Sequence, residues 1–284
     1  MDATSPNSQQ IDYWNAAAGP KWVRLQETLD AQIGVFGDAA MERAAPREGE
    51  TVLDVGCGCG QTSLALADRV GETGRVTGLD VSAPMLDAAR QRASSSSVNN
   101  LVFETADAQV HDFPAAAYDL IYSRFGVMFF SDPQAAFANL HGALAKTGRL
   151  AFVCWQSIDR NPWMFVPTAA AAKQLSIEPP RDPYAPGPFA FADSDRVCDI
   201  LRRSGFRDPT AEPFELDIAL AGGAGIDETV AFMLEMGPVG AALKDADEDT
   251  VAKAREAVRE ALLPYFANGG AVMGSAAWIV TAVA

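Results

Sequence analysis

The sequence predicts an α/β fold: a Rossmann-like, doubly wound and mostly parallel sheet with helical segments added around it. Three observations lead there. Short apolar runs alternate with helix-like stretches from Glu50 to Trp155, the pattern of successive β-α-β units. The first run, Thr51-Val-Leu-Asp-Val55, passes into Gly56-Cys-Gly-Cys-Gly60, a turn flexible enough to bring main chain against a ligand. Acids gather where the runs end, with Asp54 inside the first, Asp80 closing the second and Asp107 just past the third. Open α/β sheets bind ligands at the carboxyl ends of their strands.

Taken in order, Met1 to Gln10 is polar and reads as a short disordered lead; it lacks the apolar core of a secretory signal. Ile11 to Ala45 reads as helix in two or three pieces, interrupted at Gly19-Pro20. Thr62 is placed to cap a helix from Ser63 to Val70, which stops at Gly71. Arg75 to Asp80 is the second strand, and Ser82 with Pro84 opens the helix to Arg92. Leu101 to Thr105 and Tyr118 to Ser123 are the third and fourth strands. Pro133 starts a helix to about Ala145, with Ala136, Phe137, Leu140 and Leu144 on one face. Arg149 to Trp155 is the fifth strand. Right-handed crossovers put the carboxyl ends of all these strands on one edge.

The second half is less regular. Asn161 to Phe191 is rich in proline and aromatic residues, with periodicity only from Phe165 to Leu175. Ser194 to Ser204 reads as a helix and Pro213 to Leu220 as a strand. Asp227 to Met236 and Glu248 to Ala267 read as helices, and Ser275 to Ala284 as a last strand.

Composition narrows the function. The 284 residues carry a net charge of -15, which repels phosphate backbones and argues against a nucleic-acid partner. No apolar run reaches the roughly 20 residues that span a bilayer, so no membrane partner is expected. The 4 cysteines form no disulfide framework, which fits a reduced, cytoplasmic setting. Cys57 and Cys59, with only His111 and His141 elsewhere, fall far short of a zinc ligand set, and no metal is expected.

The acids choose among ligands. Asp80 stands where doubly wound folds present a carboxylate to a ribose diol, and Asp107 with the Ala108 amide stands where an adenine edge would lie. A pyrophosphate is disfavoured beside three carboxylates. S-adenosylmethionine, with a sulfonium and an ammonium, suits an acidic glycine-lined turn better. The third glycine also comes one residue earlier than in nicotinamide-binding loops.

At this point the chain resembles the class I S-adenosylmethionine-dependent methyltransferases, and in flavour the ubiquinone/menaquinone-biosynthesis and small-molecule members. The segments that carry the resemblance are Val52 to Gly60, Gly78-Leu-Asp-Val-Ser-Ala-Pro-Met-Leu86, Ala106 to Ala108, Tyr118 to Ser123 and Leu144 to Leu150. The resemblance implies a strand order 3-2-1-4-5-7-6 with strand seven antiparallel. It also implies that Gly56, Cys57, Gly58 and Gly60 hold the methionine moiety, with Asp54 orienting the ammonium directly or through water. Asp80 with Val81 would take the ribose, Met85 would pack near the adenine, and Asp107 and Ala108 would read its amino edge. Ser123 and Arg124 would face the methionyl end and the acceptor.

Tyr13, Trp14 and Trp22 are either plain packing residues or a cover over the cofactor. Phe125, Met128 and Phe129, with Phe130, form an apolar loop that is expected to line an acceptor pocket. His111 and His141 read as peripheral, leaving no evident general base. The expected function is methyl transfer to a small, fairly apolar acceptor, with O-, C- and N-transfer open. The alternatives are a nicotinamide-dependent oxidoreductase and a non-catalytic protein that binds S-adenosylmethionine. The expected organisation is a helical lid segment over 1–45, a cofactor core over 46–155, a lid insertion over 156–192, a core helix and strand six over 193–221, a helical lid over 222–273 and strand seven over 274–284. The C-terminal helices offer a possible homodimer face in place of a lid.

Overall fold

The computed structural model describes residues 6–177, 182–267 and 269–284. Apolar runs that must bury both faces form the middle of a sheet. They are β1 (Thr51–Val55), β2 (Arg75–Asp80), β3 (Leu101–Thr105), β4 (Tyr118–Arg124) and β5 (Leu144–Trp155). These five pair in parallel. Val52, Leu53, Leu120, Ile121, Phe152 and Val153 are inaccessible to solvent, as expected where helices cover both faces. Beyond them come β6 (Arg207–Ala219), the two-residue β7 (Phe266–Ala267) and β8 (Gly270–Val283). The sheet order is β3-β2-β1-β4-β5-β8-β6, with β8 antiparallel to both neighbours. This is the expected topology, with the small β7 added on β8, so the strand anticipated as seventh is the eighth.

The helices are α1 (Ser8–Tyr13), α2 (Gly19–Arg24), α3 (Gln26–Ala44), α4 (Gln61–Val70), α5 (Ala83–Ser94), α6 (Pro133–Ala143), α7 (Pro162–Ala171), α8 (Ser194–Arg203), α9 (Ile226–Glu235), α10 (Gly237–Ala242) and α11 (Glu248–Leu262). Helix α3 lies across β4, β5 and β8. Its Phe36 is fully buried, 4.9 Å from the Trp155 ring and 5.7 Å from Phe214. Burial of a side chain this size contributes roughly 1.5–3 kcal/mol, which fixes the first helical segment to the far half of the sheet. Helix α11 packs on both α7 and α9.

Several boundaries differ from the sequence reading, each for a local reason. Residues 6–10 are not a loose lead: Asn7 is buried and α1 starts at Ser8, while Met1 to Ser5 lie outside the described residues. Gly19-Pro20 does not break the helix. Pro20 sits in the first turn of α2, where its missing N–H costs nothing, and a π-helical turn, Trp14–Ala18, precedes it. The break falls at Leu25 instead. Thr62 does not cap α4. Gly60 holds the cap position in a left-handed conformation, and the Thr62 hydroxyl turns to Asp54. Ser82 holds the cap position of α5, but its hydroxyl donates to the Trp14 carbonyl. β6 starts six residues before Pro213. Proline is tolerated there because β6 is the edge strand and can lose a ladder donor. The helix read to Ala267 ends at Leu262, ahead of Pro264.

Candidate functional site

The carboxyl ends of β1, β2 and β4 open into a cavity of about 250 Å³. Its floor is the turn after β1. Gly56 has φ +67°, and the Gly56 and Cys57 amides donate to the Leu79 carbonyl at 2.8 and 3.1 Å, tying the turn to β2. A Cβ on Gly56 would stand 2.7 Å from Cα of Gly126, so the turn after β1 and the turn after β4 meet backbone to backbone. Only glycine permits that approach. A Cβ on Gly58 would meet the Met85 side chain at 2.9 Å. Gly60 packs against Ala89 and Phe103 and takes no part in the cavity wall.

Asp80 braces this turn. Its Oδ2 accepts from the Gly58 amide and its Oδ1 from the Ser82 amide, both at 2.8 Å. Burial pushes its carboxyl up, and these two amides pull it part of the way back. Each oxygen keeps a lone pair free, and Asp80 lines the cavity beside Val81 and Met85. Asp107 lines it too, and its Oδ1 accepts from the Gln109 amide at 3.0 Å. Asp54 lies behind the turn, off the cavity wall and with no solvent exposure. Its Oδ2 accepts from the Thr62 and Ser63 hydroxyls at 2.7 and 2.6 Å. Its Oδ1 is buried with no hydrogen-bond partner among the described residues. Burial raises its carboxyl to about 6.

The other expected binding residues divide. Cys57, Ala108 and Arg124 line the cavity. Ser123 does not: its hydroxyl donates to the Val55 carbonyl at 2.7 Å and accepts from the Gly126 amide at 3.2 Å, joining β4 to the end of β1. Trp14 and Trp22 are on the wall, edge to face at 5.7 Å, and Trp14 meets Phe129 at 5.1 Å. Tyr13 is half exposed and stands off it. Phe125, Met128, Phe129 and Phe130 all face the cavity. Phe125 has φ +58°, an uncommon value for an aromatic residue, and its ring stacks on Trp155 at 4.1 Å.

The sequence reading missed Asp30. It accepts from Arg124 at 3.0 Å and from Arg92 at 2.9 Å, and Arg92 also donates to the Cys59 carbonyl at 3.3 Å. Arg124 donates to Gln61 as well. Nothing near Asp30 in the chain announces this, because its partners lie 62 and 94 residues away. Asn15 was missed too. Its side chain donates to the Val81 carbonyl at 2.9 Å and accepts from the Ala83 amide at 3.0 Å, fastening the N-terminal helices over the end of β2. The far wall, with Trp163, Met164, Thr168, Phe189, Met233 and Met236, comes from segments that the motif leaves unspecified.

No histidine or tyrosine lines the cavity among the described residues. His111 pairs with Glu104 at 3.2 Å, and His141 packs on Phe206. Burial pushes the Cys57 thiol up and the Cys59 thiol to about 11, so both are neutral near pH 7. No cluster of three or more metal-ligating side chains occurs among the described residues.

Known proteins resemble this chain in part of its sequence and in its fold. Residues 52–148 match a family model described as a methyltransferase domain. Over 117 residues the chain is 34% identical to the aklanonic acid methyltransferase DauC of Streptomyces sp. (strain C5), covering 41% of this chain and 53% of that protein. It is 30% identical over 169 residues to the nocamycin O-methyltransferase of Saccharothrix syringae, covering 57% and 60%. The matched region thus spans little more than half the length of these curated relatives. The solved structure of YcgJ from Bacillus subtilis shares the fold, with a TM-score of 0.57 at 17% identity, covering 87% of this chain and 97% of that one. Residues 52–148 therefore carry the likeness to a methyltransferase domain.

Proposed function

We propose that the protein transfers the methyl group of S-adenosyl-L-methionine to a small, mainly apolar acceptor. The observation that carries this reading is the pairing of a glycine turn, clamped by Asp80, with a cavity whose other half is aromatic and thioether. The residues present fit the cofactor. Asp54 Oδ1 is a buried acceptor without a donor, Asp80 and Asp107 are carboxylates on the wall, and the turn after β1 has no side chain where Met85 approaches it.

When bound, S-adenosylmethionine supplies an electrophilic methyl group whose sulfur departs as a neutral thioether. Asp80 would accept from the ribose hydroxyls, Asp107 from the adenine amino group, and Asp54 from the ammonium through water. Arg124 is held by Asp30, which Arg92 also contacts, so the Arg124 guanidinium reaches the cavity already partnered. The protein then contributes by positioning the two reactants and excluding water. With no histidine or tyrosine on the described wall, an acceptor that ionises by itself, such as a phenol or an enol, suits the site.

The methyltransferase names of the curated relatives support this reading over a nicotinamide enzyme. A non-catalytic binder would bind the cofactor and methylate nothing in an acceptor panel. We place the lids at 1–45, 156–192 and 222–273, around a core of 46–155. A homodimer through the C-terminal helices has less support, because Ala254, Val258 and Leu262 of α11 are already buried. No helix among the described residues is long and apolar enough to cross a membrane, and a cytoplasmic site of action fits.

Isothermal titration with S-adenosylhomocysteine tests the proposal. Micromolar binding is expected. Asp80→Asn, which replaces one charged acceptor, should weaken it by roughly tenfold or more, since hydrogen bonds to charged groups contribute about 1.5–3 kcal/mol. No binding at millimolar concentration removes the reading.

A further inference from the structure

The part of the cavity wall that follows residues 52–148, from Trp155 to Pro238, presents no charged side chain among the described residues. It is built from tryptophan, phenylalanine, methionine and proline. The indole N–H of Trp163 is committed to Asn161 Oδ1 at 3.2 Å. That leaves Thr168 as the polar side chain of this wall with no commitment. A threonine within a helix ordinarily donates its hydroxyl to the carbonyl one turn back. Here that carbonyl belongs to Met164, which shares the wall, yet the Thr168 hydroxyl has no hydrogen-bond partner among the described residues.

The rings on this side have a definite geometry. Phe125 and Trp155 lie nearly parallel, 13° apart at 4.1 Å, and Trp163 leans on Trp155 at 5.3 Å with a 60° tilt. Stiff aromatic faces favour a flat ring as their neighbour, since offset stacking and edge contacts add about 0.5–1.5 kcal/mol beyond area. On the same wall, Met164, Met233 and Met236 are unbranched and polarisable, and adapt to the rim of a ring system.

Resting on the methyl-transfer reading above, we propose that the acceptor is a neutral, planar, multi-ring molecule. In this proposal Thr168 is its specificity-determining anchor and takes a hydrogen bond from, or gives one to, a single hydroxyl or carbonyl on the ring edge.

The test uses the whole chain and calorimetric titration of 2-naphthol, naphthalene and cyclododecanol, each with and without saturating S-adenosylhomocysteine. 2-Naphthol should bind more tightly than cyclododecanol, the non-planar alcohol. Thr168→Val keeps the shape of the side chain and removes the hydroxyl, so 2-naphthol should lose roughly three- to tenfold in affinity, the size of one neutral hydrogen bond. Naphthalene should be unaffected, Thr168→Ser should restore 2-naphthol binding, and S-adenosylhomocysteine affinity and melting temperature should hold in both variants. Equal losses for naphthalene and 2-naphthol, or none for either, overturn the anchor. Cyclododecanol binding as well as 2-naphthol overturns the planar acceptor. If S-adenosylhomocysteine fails to bind while 2-naphthol binding depends on Thr168, the methyl-donor reading falls and this assignment stands.

Discussion

The two ends of the cavity are made in different ways. At the strand ends the wall is main chain and carboxylate: the turn after β1 held to Leu79 and Asp80, with Gly56 against Gly126. At the other end it is side chain, drawn from the N-terminal helices, α7 and α9. The first is fixed by backbone geometry that a single Cβ would break. The second is held by apolar packing that tolerates exchange of similar volumes. A fixed end suits a constant cofactor, and an adaptable end suits an acceptor that differs from one protein to the next.

The most damaging change should therefore be a methyl group in the fixed end. Gly56→Ala forces a left-handed conformation costing about 1–3 kcal/mol and drives a carbon to 2.7 Å from the Gly126 backbone, which cannot yield. The expected result is a melting temperature lower by on the order of 5 °C and S-adenosylhomocysteine affinity lower by at least about tenfold. Thermal unfolding and titration check both. A variant with native affinity would mean that the turn is as adaptable as the cap.

A second prediction sharpens the comparison through pH. Asp54 has a folded-state carboxyl near 6, raised from its ordinary value by burial. The folded, ligand-free protein thus holds this proton more tightly than the unfolded chain. The contribution to stability is complete below the ordinary carboxylate range and is lost as pH rises through about 6. A bound ammonium favours the charged form, so affinity for S-adenosylhomocysteine should hold above that pH and fall, approaching tenfold per unit, below it. Asp54→Asn still accepts from Thr62 and Ser63, and should flatten the profile while weakening binding above pH 6. Titrations between about pH 5 and 8 decide it. An unchanged slope in the variant would separate Asp54 from the ammonium.

The same division explains what could be read from the chain alone. The fixed end is local in sequence. Strand, glycine turn and helix follow one another within twenty residues, so the α/β fold and the cavity positions of Asp80 and Asp107 followed from short patterns, while the strand order and the place of Met85 came with the family resemblance. Side-chain commitments were less legible. Thr62 has cap chemistry, but a buried Asp54 competes for its hydroxyl and wins. Ser123 is next to the right turn, yet the Val55 carbonyl takes its proton. Asp30 and Asn15 act across 62 to 94 residues of separation, a distance at which no periodicity speaks. The polar residues before Ile11 suggested a loose lead because their partners, Asp107 for Asn7 and Ser131 for the Pro6 carbonyl, lie 100 and 125 residues away.

The smallest expected effect lies where the two caps meet. Lys21 donates to the Glu235 carbonyl at 2.5 Å, and Arg24 pairs with the Glu235 carboxylate, so α2 is latched to the end of α9 over the cavity. Both partners of the ion pair are more than a third exposed, and such pairs contribute about 0–1 kcal/mol. Glu235→Ala removes the carboxylate and leaves the carbonyl contact of Lys21 in place. Its melting temperature should fall by no more than about 3 °C, and S-adenosylhomocysteine affinity should not change. Because Met236 follows directly and lines the cavity, 2-naphthol should dissociate faster from the variant, and high salt should produce the same effect in the native chain. Stopped-flow release of 2-naphthol measures it. A loss of stability as large as that of Gly56→Ala would show that the caps and the turn unfold as one unit, and the contrast between a fixed and an adaptable end would fail.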